Sequence, residues 1–157
     1  KKLKDIKLLI LDVDGVMTDG GMYWTESGDQ IKKFNTKDGL GIIGLTKKGF
    51  KVGIISSGFT KIMVQKRAEL LGISHCYVGQ QAKMEILKTW CDELGIELKH
   101  VAIIGDDVND LEVMTHVGLA ACPSDAVNEV KSVCSIILST KGGEGCIREF
   151  IDAYLQK

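Results

Sequence analysis

Short apolar runs alternate along this chain with longer segments that have the character of helices. The apolar runs predict six strands, at residues 7–11, 51–56, 75–78, 100–104, 118–121 and 135–138. The other segments predict six helices, at residues 39–48, 61–71, 81–94, 108–116, 126–132 and 145–155. Such alternation predicts an α/β fold, a doubly wound parallel sheet with helices on both faces. Because no linker rich in proline or serine interrupts it, residues 1–157 are predicted to form a single domain.

One segment, residues 18–34, departs from this alternation. Residues 22–24 and 30–34 look like two short strands, and residues 26–29 provide a turn between them. A β-hairpin inserted here would overhang the end of the first strand. It could be an ordinary surface hairpin, but Tyr23, Trp24 and Phe34 favour a flap over a site or a contact between subunits.

The first strand ends in two acidic residues, Asp12 and Asp14, with Gly15 just beyond them. Four apolar residues, 8–11, precede the pair, so the strand is predicted to be buried on both faces. Neighbouring carboxylates at such a position repel each other and are costly to desolvate. A divalent cation would compensate that cost, so the pair indicates a metal-assisted site.

Composition narrows the range of partners. The chain is 45% hydrophobic and 26% charged, with a net charge of −1, which disfavours nucleic acid and anionic membranes as partners. The apolar runs fall short of the roughly 20 residues that span a bilayer, and the first residues lack the apolar core of a signal peptide. We therefore expect a cytoplasmic protein. The five cysteines are expected to be reduced core thiols, with a zinc site or a nucleophilic cysteine as the alternative.

Further polar residues follow the other predicted strands. Ligands of open α/β sheets bind beyond the carboxyl ends of the strands, so these residues are expected to converge at one edge. They are Ser56, Ser57, Asp106, Asp107, Asn109 and Asp110, together with Lys83 near the start of a helix. In phosphoryl transfer a carboxylate can attack phosphorus, a second can move the proton, and Mg²⁺, a lysine and hydroxyls can hold the phosphate oxygens.

Several motifs resemble those of the haloacid dehalogenase superfamily. They are D-V-D-G-V-M-T-D at 12–19, I-I-S-S at 54–57, a lysine on a helix, and G-D-D-V-N-D at 105–110. The motifs K-F-N-T-K-D-G at 33–39 and G-G-E-G-C-I-R-E at 142–149 are similar to those of its small capless branch. That branch includes the phosphatases of 3-deoxy-D-manno-octulosonate 8-phosphate (KDO 8-phosphate) and of nonulosonate 9-phosphates, and a domain fused behind acylneuraminate cytidylyltransferase. The resemblance implies a Rossmann-like fold without a cap domain.

The resemblance also implies roles for individual acids. Asp12 would be the nucleophile and an Mg²⁺ ligand, and Asp14 would be the general acid and base, with its backbone carbonyl on the metal. Asp106 would complete the protein ligands of Mg²⁺. Asp107 and Asp110 would orient Lys83, water or the loop rather than bind the metal directly.

The phosphate would be held by Lys83 and by one of two serines. Counting forward from Asp38 favours Ser56, and counting back from residues 65–67 favours Ser57, so the choice stays open with a preference for Ser56. Relatives often carry a charged residue after the next glycine, where it helps to read the substrate. This chain has Phe59 there, which leaves the identity of the sugar open.

Two arginines and one loop have alternative interpretations. Arg67 could meet a sugar carboxylate or be an ordinary helix residue. The glycine-rich loop 142–145 could simply lead into a helix or, with Arg148, could contact a substrate or a neighbouring subunit.

The motifs together predict an Mg²⁺-dependent phosphatase of a phosphorylated keto-deoxy sugar acid, with KDO 8-phosphate preferred. The alternatives are a nonulosonate 9-phosphate phosphatase and a non-catalytic tetramerising domain. The resemblance implies a homotetramer in which hairpins of neighbouring chains close each active site.

Overall fold

The computed structural model describes Leu3 and residues 5–155, and within these residues six parallel strands form the central sheet. The strands are β1 (Leu8–Leu11), β4 (Lys51–Ser56), β5 (His75–Val78), β6 (Val101–Ile104), β7 (Leu119–Cys122) and β8 (Ile136–Ile137). Their order is β5-β4-β1-β6-β7-β8, which is the doubly wound order when the hairpin strands are left aside. The predicted α/β fold is therefore confirmed, although β1, β6, β7 and β8 begin one residue later than expected.

Six helices among the described residues flank the sheet. They are α1 (Thr36–Lys47), α2 (Lys61–Leu70), α3 (Lys83–Leu94), α4 (Leu111–His116), α5 (Asn128–Val133) and α6 (Cys146–Phe150). A π-helical turn, Ile151–Leu155, continues α6. Helix α1 begins earlier than predicted because the Asn35 side chain accepts hydrogen bonds from the backbone N–H groups of Lys37 (2.8 Å) and Asp38 (3.1 Å). The predicted helix at 108–116 is instead a 3₁₀ turn, Val108–Asp110, followed by α4. None of the helices in the described part of the chain is long and apolar enough to cross a bilayer.

A two-stranded antiparallel hairpin follows the first strand, as predicted. Its strands are β2 (Tyr23–Trp24) and β3 (Gln30–Ile31), each shorter than the sequence pattern suggested. Tyr23, Trp24 and Ile31 are all more than half exposed, so this chain leaves their apolar surfaces uncovered.

Strand β1 lies at the centre of the sheet and is buried on both faces. Leu9 and Leu11 pack into the core on the side of α1 and α6, while Leu8 and Ile10 pack into the core that contains α3 and α4 residues. β1 pairs with β4 on one side and β6 on the other, so that Leu11 lies beside both Ile54 and Ile104. This register brings the residues after β1, β4 and β6 to the same edge of the sheet.

Candidate active site

The loop after β1 carries the two predicted catalytic acids. Asp12 is the first residue beyond the strand, and its backbone N–H donates to the Ile104 carbonyl of β6 at 3.3 Å. Gly15 has a φ of 94°, and a Cβ atom there would overlap the Asp106 carboxylate. Glycine is therefore required at this position both for the turn and for the close approach of Asp106.

The loop borders a cleft of about 240 Å³ at the carboxyl edge of the sheet. The residues that line it come from the ends of β1, β4 and β6: Asp12, Asp14, Ser56, Ser57, Gly58, Asp106, Asp107 and Asn109. The structure thus brings together around one space seven of the polar residues that were predicted to converge at this edge. The other two members of the predicted cluster, Lys83 and Asp110, are buried beside it.

Lys83 joins two of the acids in the interior. It is the first residue of α3 and only 7% exposed, and its Nζ donates to Asp12 Oδ1 at 3.2 Å and to Asp110 Oδ1 at 2.7 Å. Asp110 is fully buried, and its Oδ2 accepts the backbone N–H of Asp106 at 3.2 Å. Both Asp110 oxygens are therefore engaged, and Asp110 orients Lys83 and the β6 loop.

Burial and mutual repulsion shift the ionisation of this cluster. Burial, and then the charge of Asp110, raise the pKa of Asp12 well above its usual value, and Lys83 opposes that rise. The same two causes raise the pKa of Asp106 to about 6. Burial lowers the pKa of Lys83, but the charges of Asp12 and Asp110 outweigh it, and the net shift is upward. The lysine therefore stays charged, while the carboxylates need further positive charge.

The donor atoms fit a divalent cation. Asp12, Asp106 and Asp110 each offer a carboxylate oxygen, and these oxygens lie within 4.8 Å of one another. Asp106 Oδ1 is buried and has no hydrogen-bond partner, although buried polar atoms normally have one. Because Asp110 is already engaged, Asp12 and Asp106 remain as the carboxylates for a hard cation such as Mg²⁺.

Both candidate serines line the cleft. Ser56 is the last residue of β4, is 3% exposed, and accepts the Gly58 backbone N–H on its Oγ at 3.1 Å. The Ser57 carbonyl accepts a hydrogen bond from Gln80 Nε2 at 2.8 Å. The choice between the two hydroxyls for phosphate binding therefore stays open. Phe59, just beyond them, is 84% exposed.

The predicted arginines lie outside the residues that line the cleft. The Arg67 guanidinium lies 5.3 Å from the Phe34 ring centre and donates to the Asn35 carbonyl at 3.4 Å. Arg148 donates from Nε to Asp152 at 2.9 Å and from Nη1 to a backbone carbonyl of α1 at 3.3 Å. Within this chain both arginines secure the start of α1, and a contact with substrate stays a prediction.

The glycine-rich loop 142–145 supports the loop that carries Asp14. A Cβ atom at Gly142 would overlap the Gly15 carbonyl, and the Gly143 backbone N–H donates to the Val16 carbonyl at 3.0 Å. Within this chain the loop therefore leads into α6 and packs against the loop after β1, and a contact of it with substrate or a neighbouring subunit stays a prediction.

One residue at the site, Lys32, was not predicted from the sequence. Its Nζ donates to Asp14 Oδ1 at 2.6 Å. The sequence offers Lys32 and Lys33 side by side, and the charge alone does not distinguish them. The alternation of strand positions could have done so, because it places Lys32 on the face of Phe34, which packs against the core.

Comparisons of the sequence and of the structure with known proteins all find hydrolases. The sequence model of haloacid dehalogenase-like hydrolases matches residues 75–150. The 3-deoxy-D-manno-octulosonate 8-phosphate phosphatase KdsC of Escherichia coli K12 is 38% identical over 154 residues, which are 98% of this chain and 81% of that protein.

Solved structures of such phosphatases are also similar. The enzyme from Yersinia pestis superimposes with a TM-score of 0.89 at 38% identity, covering 94% of this chain and 80% of the other. The enzyme from Moraxella catarrhalis, solved with a magnesium ion, a phosphate ion and KDO, gives a TM-score of 0.87 at 37% identity, covering 93% and 83%.

Proposed function

Because this chain belongs to the haloacid dehalogenase-like hydrolases and is a phosphoric monoester hydrolase, we propose that it releases phosphate from KDO 8-phosphate. The observation that carries the proposal is the cluster in which buried Lys83 joins Asp12 to Asp110, with Asp106 alongside. The likeness to phosphatases of that substrate supports the choice of sugar.

Asp12 is the proposed nucleophile. Its carboxylate attacks phosphorus, the bond from phosphorus to the sugar oxygen breaks, and an aspartyl-phosphate forms. Water then attacks this phosphorus, the bond to Asp12 breaks, and inorganic phosphate leaves. Lys83 holds Asp12 from the buried side, so the attacking carboxylate is fixed in orientation.

Asp14 is the proposed general acid and base. It gives a proton to the sugar oxygen as that oxygen leaves, and it takes a proton from the attacking water in the second step. Its place on the cleft wall suits this work, because its side chain is 41% exposed while that of Asp12 is only 8% exposed. The Ser56 or Ser57 hydroxyl would hold a phosphate oxygen.

We propose that Mg²⁺ is the cofactor, held by Asp12, Asp106 and the backbone carbonyl of Asp14. The buried, unpartnered Asp106 Oδ1 supports this assignment. When bound, Mg²⁺ supplies positive charge that screens the repulsion between the carboxylates and the phosphate.

We further propose a homotetramer in which the hairpin of one chain covers the site of a neighbour. The exposed side chains of Met22, Tyr23, Trp24 and Ile31 support it, because they leave apolar groups uncovered on a hairpin that Lys32 connects to the cleft residue Asp14. Sedimentation should give a tetramer at micromolar concentration, and a monomer would contradict the proposal. The cytoplasmic location stays a prediction.

Phosphate release from a panel of phosphorylated sugar acids, with Mg²⁺ and with EDTA, tests the activity. We expect turnover of KDO 8-phosphate that depends on Mg²⁺, and higher turnover of a nonulosonate 9-phosphate would identify the alternative substrate. Asp12→Asn should abolish turnover and leave the circular dichroism spectrum unchanged. Absence of turnover on every member, with folded protein and Mg²⁺ present, would refute the enzyme assignment and favour a non-catalytic tetramerising domain.

A further inference from the structure

Lys32 connects the hairpin to Asp14. It is the residue after β3, and its ammonium group lies 2.6 Å from Asp14 Oδ1. The Lys32 side chain is only 3% exposed, so its aliphatic part is packed and its charge is directed to one partner. Buried lysines need such a partner, because an unpaired ammonium would be costly to desolvate.

The two oxygens of Asp14 have different surroundings. Oδ1 accepts the hydrogen bond from Lys32. Oδ2 lies on the side of the cleft formed by the β4 loop, because a Cβ built on Gly58 would lie 3.3 Å from Asp14 Oδ2 and 3.4 Å from Ser56 Oγ. Oδ2 is thus the Asp14 oxygen that faces the loop after β4, next to the Ser56 hydroxyl.

We propose that Lys32 is a positioning residue for proton transfer by Asp14. It fixes Oδ1, and this leaves Oδ2 as the atom that gives a proton to the leaving sugar oxygen and later takes one from water. The inference rests on the proposed phosphatase activity and adds a residue from the hairpin to it. Besides the proposed contact with a neighbouring chain, the hairpin therefore also orients the proton donor of its own chain.

A purely structural role for Lys32 is the competing explanation. Across the described residues 22–33, the other side-chain hydrogen bonds stay within the hairpin, joining Thr25, Ser27 and Asp29. The ion pair therefore also secures the hairpin to the body of the protein. A test must separate lost hairpin packing from lost proton transfer.

Two substrates with different leaving groups distinguish lost proton transfer from lost hairpin packing. The alkoxide of a sugar needs a proton as it departs, whereas p-nitrophenolate is stable enough to leave without one. We expect Lys32→Gln to lower kcat/KM for KDO 8-phosphate by about 30-fold, a part of the roughly 100- to 10,000-fold that general acid catalysis contributes, because Asp14 itself remains. For p-nitrophenyl phosphate we expect a loss of less than about threefold, because kcat/KM reports on the steps up to the departure of the first product.

Three further variants sharpen the test. Lys33→Gln removes the same charge from the neighbouring exposed position and should leave both kcat/KM values unchanged. Lys32→Arg keeps a donor and should restore most of the activity on KDO 8-phosphate. In an Asp14→Asn background, Lys32→Gln should cause little further loss, because the residue it positions no longer donates a proton.

The outcomes distinguish the two proposals. An equal loss on both esters, or no loss on either, would overturn the positioning role while leaving the phosphatase assignment intact. If Lys32→Gln does not fold, an equal loss on both esters in Lys32→Arg, with an unchanged thermal midpoint, would overturn it in the same way. A folded wild-type chain with Mg²⁺ that hydrolyses neither ester would refute the proposed function, and this inference with it.

Discussion

Replacing Lys83 with methionine should destabilise the protein by about 3–5 kcal/mol at pH 8 in EDTA, the usual cost of removing one partner from a buried ion pair. Lys83 is 7% exposed and its Nζ lies 3.2 Å from Asp12 and 2.7 Å from Asp110, so both carboxylates would lose their buried cation. Methionine matches the length of the aliphatic chain, which limits the effect of a cavity.

The deficit should depend on pH in a defined direction. Lys83 opposes the upward pKa shifts of Asp12 and Asp106, so its removal raises both values further. A carboxylate whose pKa is higher in the folded state than in the unfolded state binds protons on folding. The folded protein therefore loses stability as the pH rises and this carboxylate ionises. Because the pKa of Asp106 is already about 6, the variant should recover part of its stability at pH 5.

Urea denaturation at pH 5 and pH 8 measures the effect, with Lys88→Met as the control on an exposed position of the same helix. For a chain of this size the loss corresponds to a fall of about 10 °C in the thermal midpoint. Saturating Mg²⁺ should reduce the deficit, since it supplies the missing positive charge. A loss below about 1 kcal/mol, or one that is equal at both pH values, would refute the reasoning.

Three further predictions concern the turn after β1, a buried acid and an exposed residue next to the cleft residues. Gly15→Ala should lower the free energy of unfolding by at least about 2 kcal/mol in urea denaturation, because its Cβ would overlap Asp106. Gly28→Ala, at a φ of 90° but with open space around it, should lower it by about 1 kcal/mol. Equal losses in the two variants would contradict this. Burial is the main cause that raises the pKa of Asp38 to about 6. Ionisation of Asp38 therefore lowers the stability of the folded protein as the pH rises from about 4 to 6. Asp38→Asn should flatten that part of the plot of stability against pH. An unchanged slope would contradict it. Because Phe59 directly follows the cleft residues Ser57 and Gly58, Phe59→Ala should raise KM for the sugar phosphate with little change in kcat. Its side chain is 84% exposed, so the thermal midpoint should stay the same. An unchanged KM would show that Phe59 does not touch the substrate.

The sheet and the carboxylate positions could be predicted because they are local in sequence. Apolar runs such as 8–11 and 101–104 are long enough to define buried strands, and acids placed directly after them must reach the carboxyl edge. The pairing order then brings Asp12 and Asp106 together without further information. Element ends were less predictable, since the start of α1 depends on the Asn35 cap.

Contacts between distant segments could not be predicted in the same way. The link from Lys32 to Asp14 depends on how the hairpin folds back, and the adjacent Lys33 has the same charge. The packing of Gly142 against Gly15 depends on the path of a loop more than a hundred residues further along the chain. Such contacts depend on shape complementarity, which a single sequence does not show.

The pairing of β1 with β6 also bears on when the acidic cluster forms during folding. Leu8 pairs with Val101 and Leu11 with Ile104, so this contact joins segments that are far apart in the chain. Closing so long a loop is slow compared with forming a helix or a hairpin. We infer that Asp12 and Asp106 meet late, and that their repulsion opposes the closure of the sheet rather than the local steps that precede it. Local helices and the hairpin would then form without that repulsion, and a divalent cation would favour the closure of the sheet.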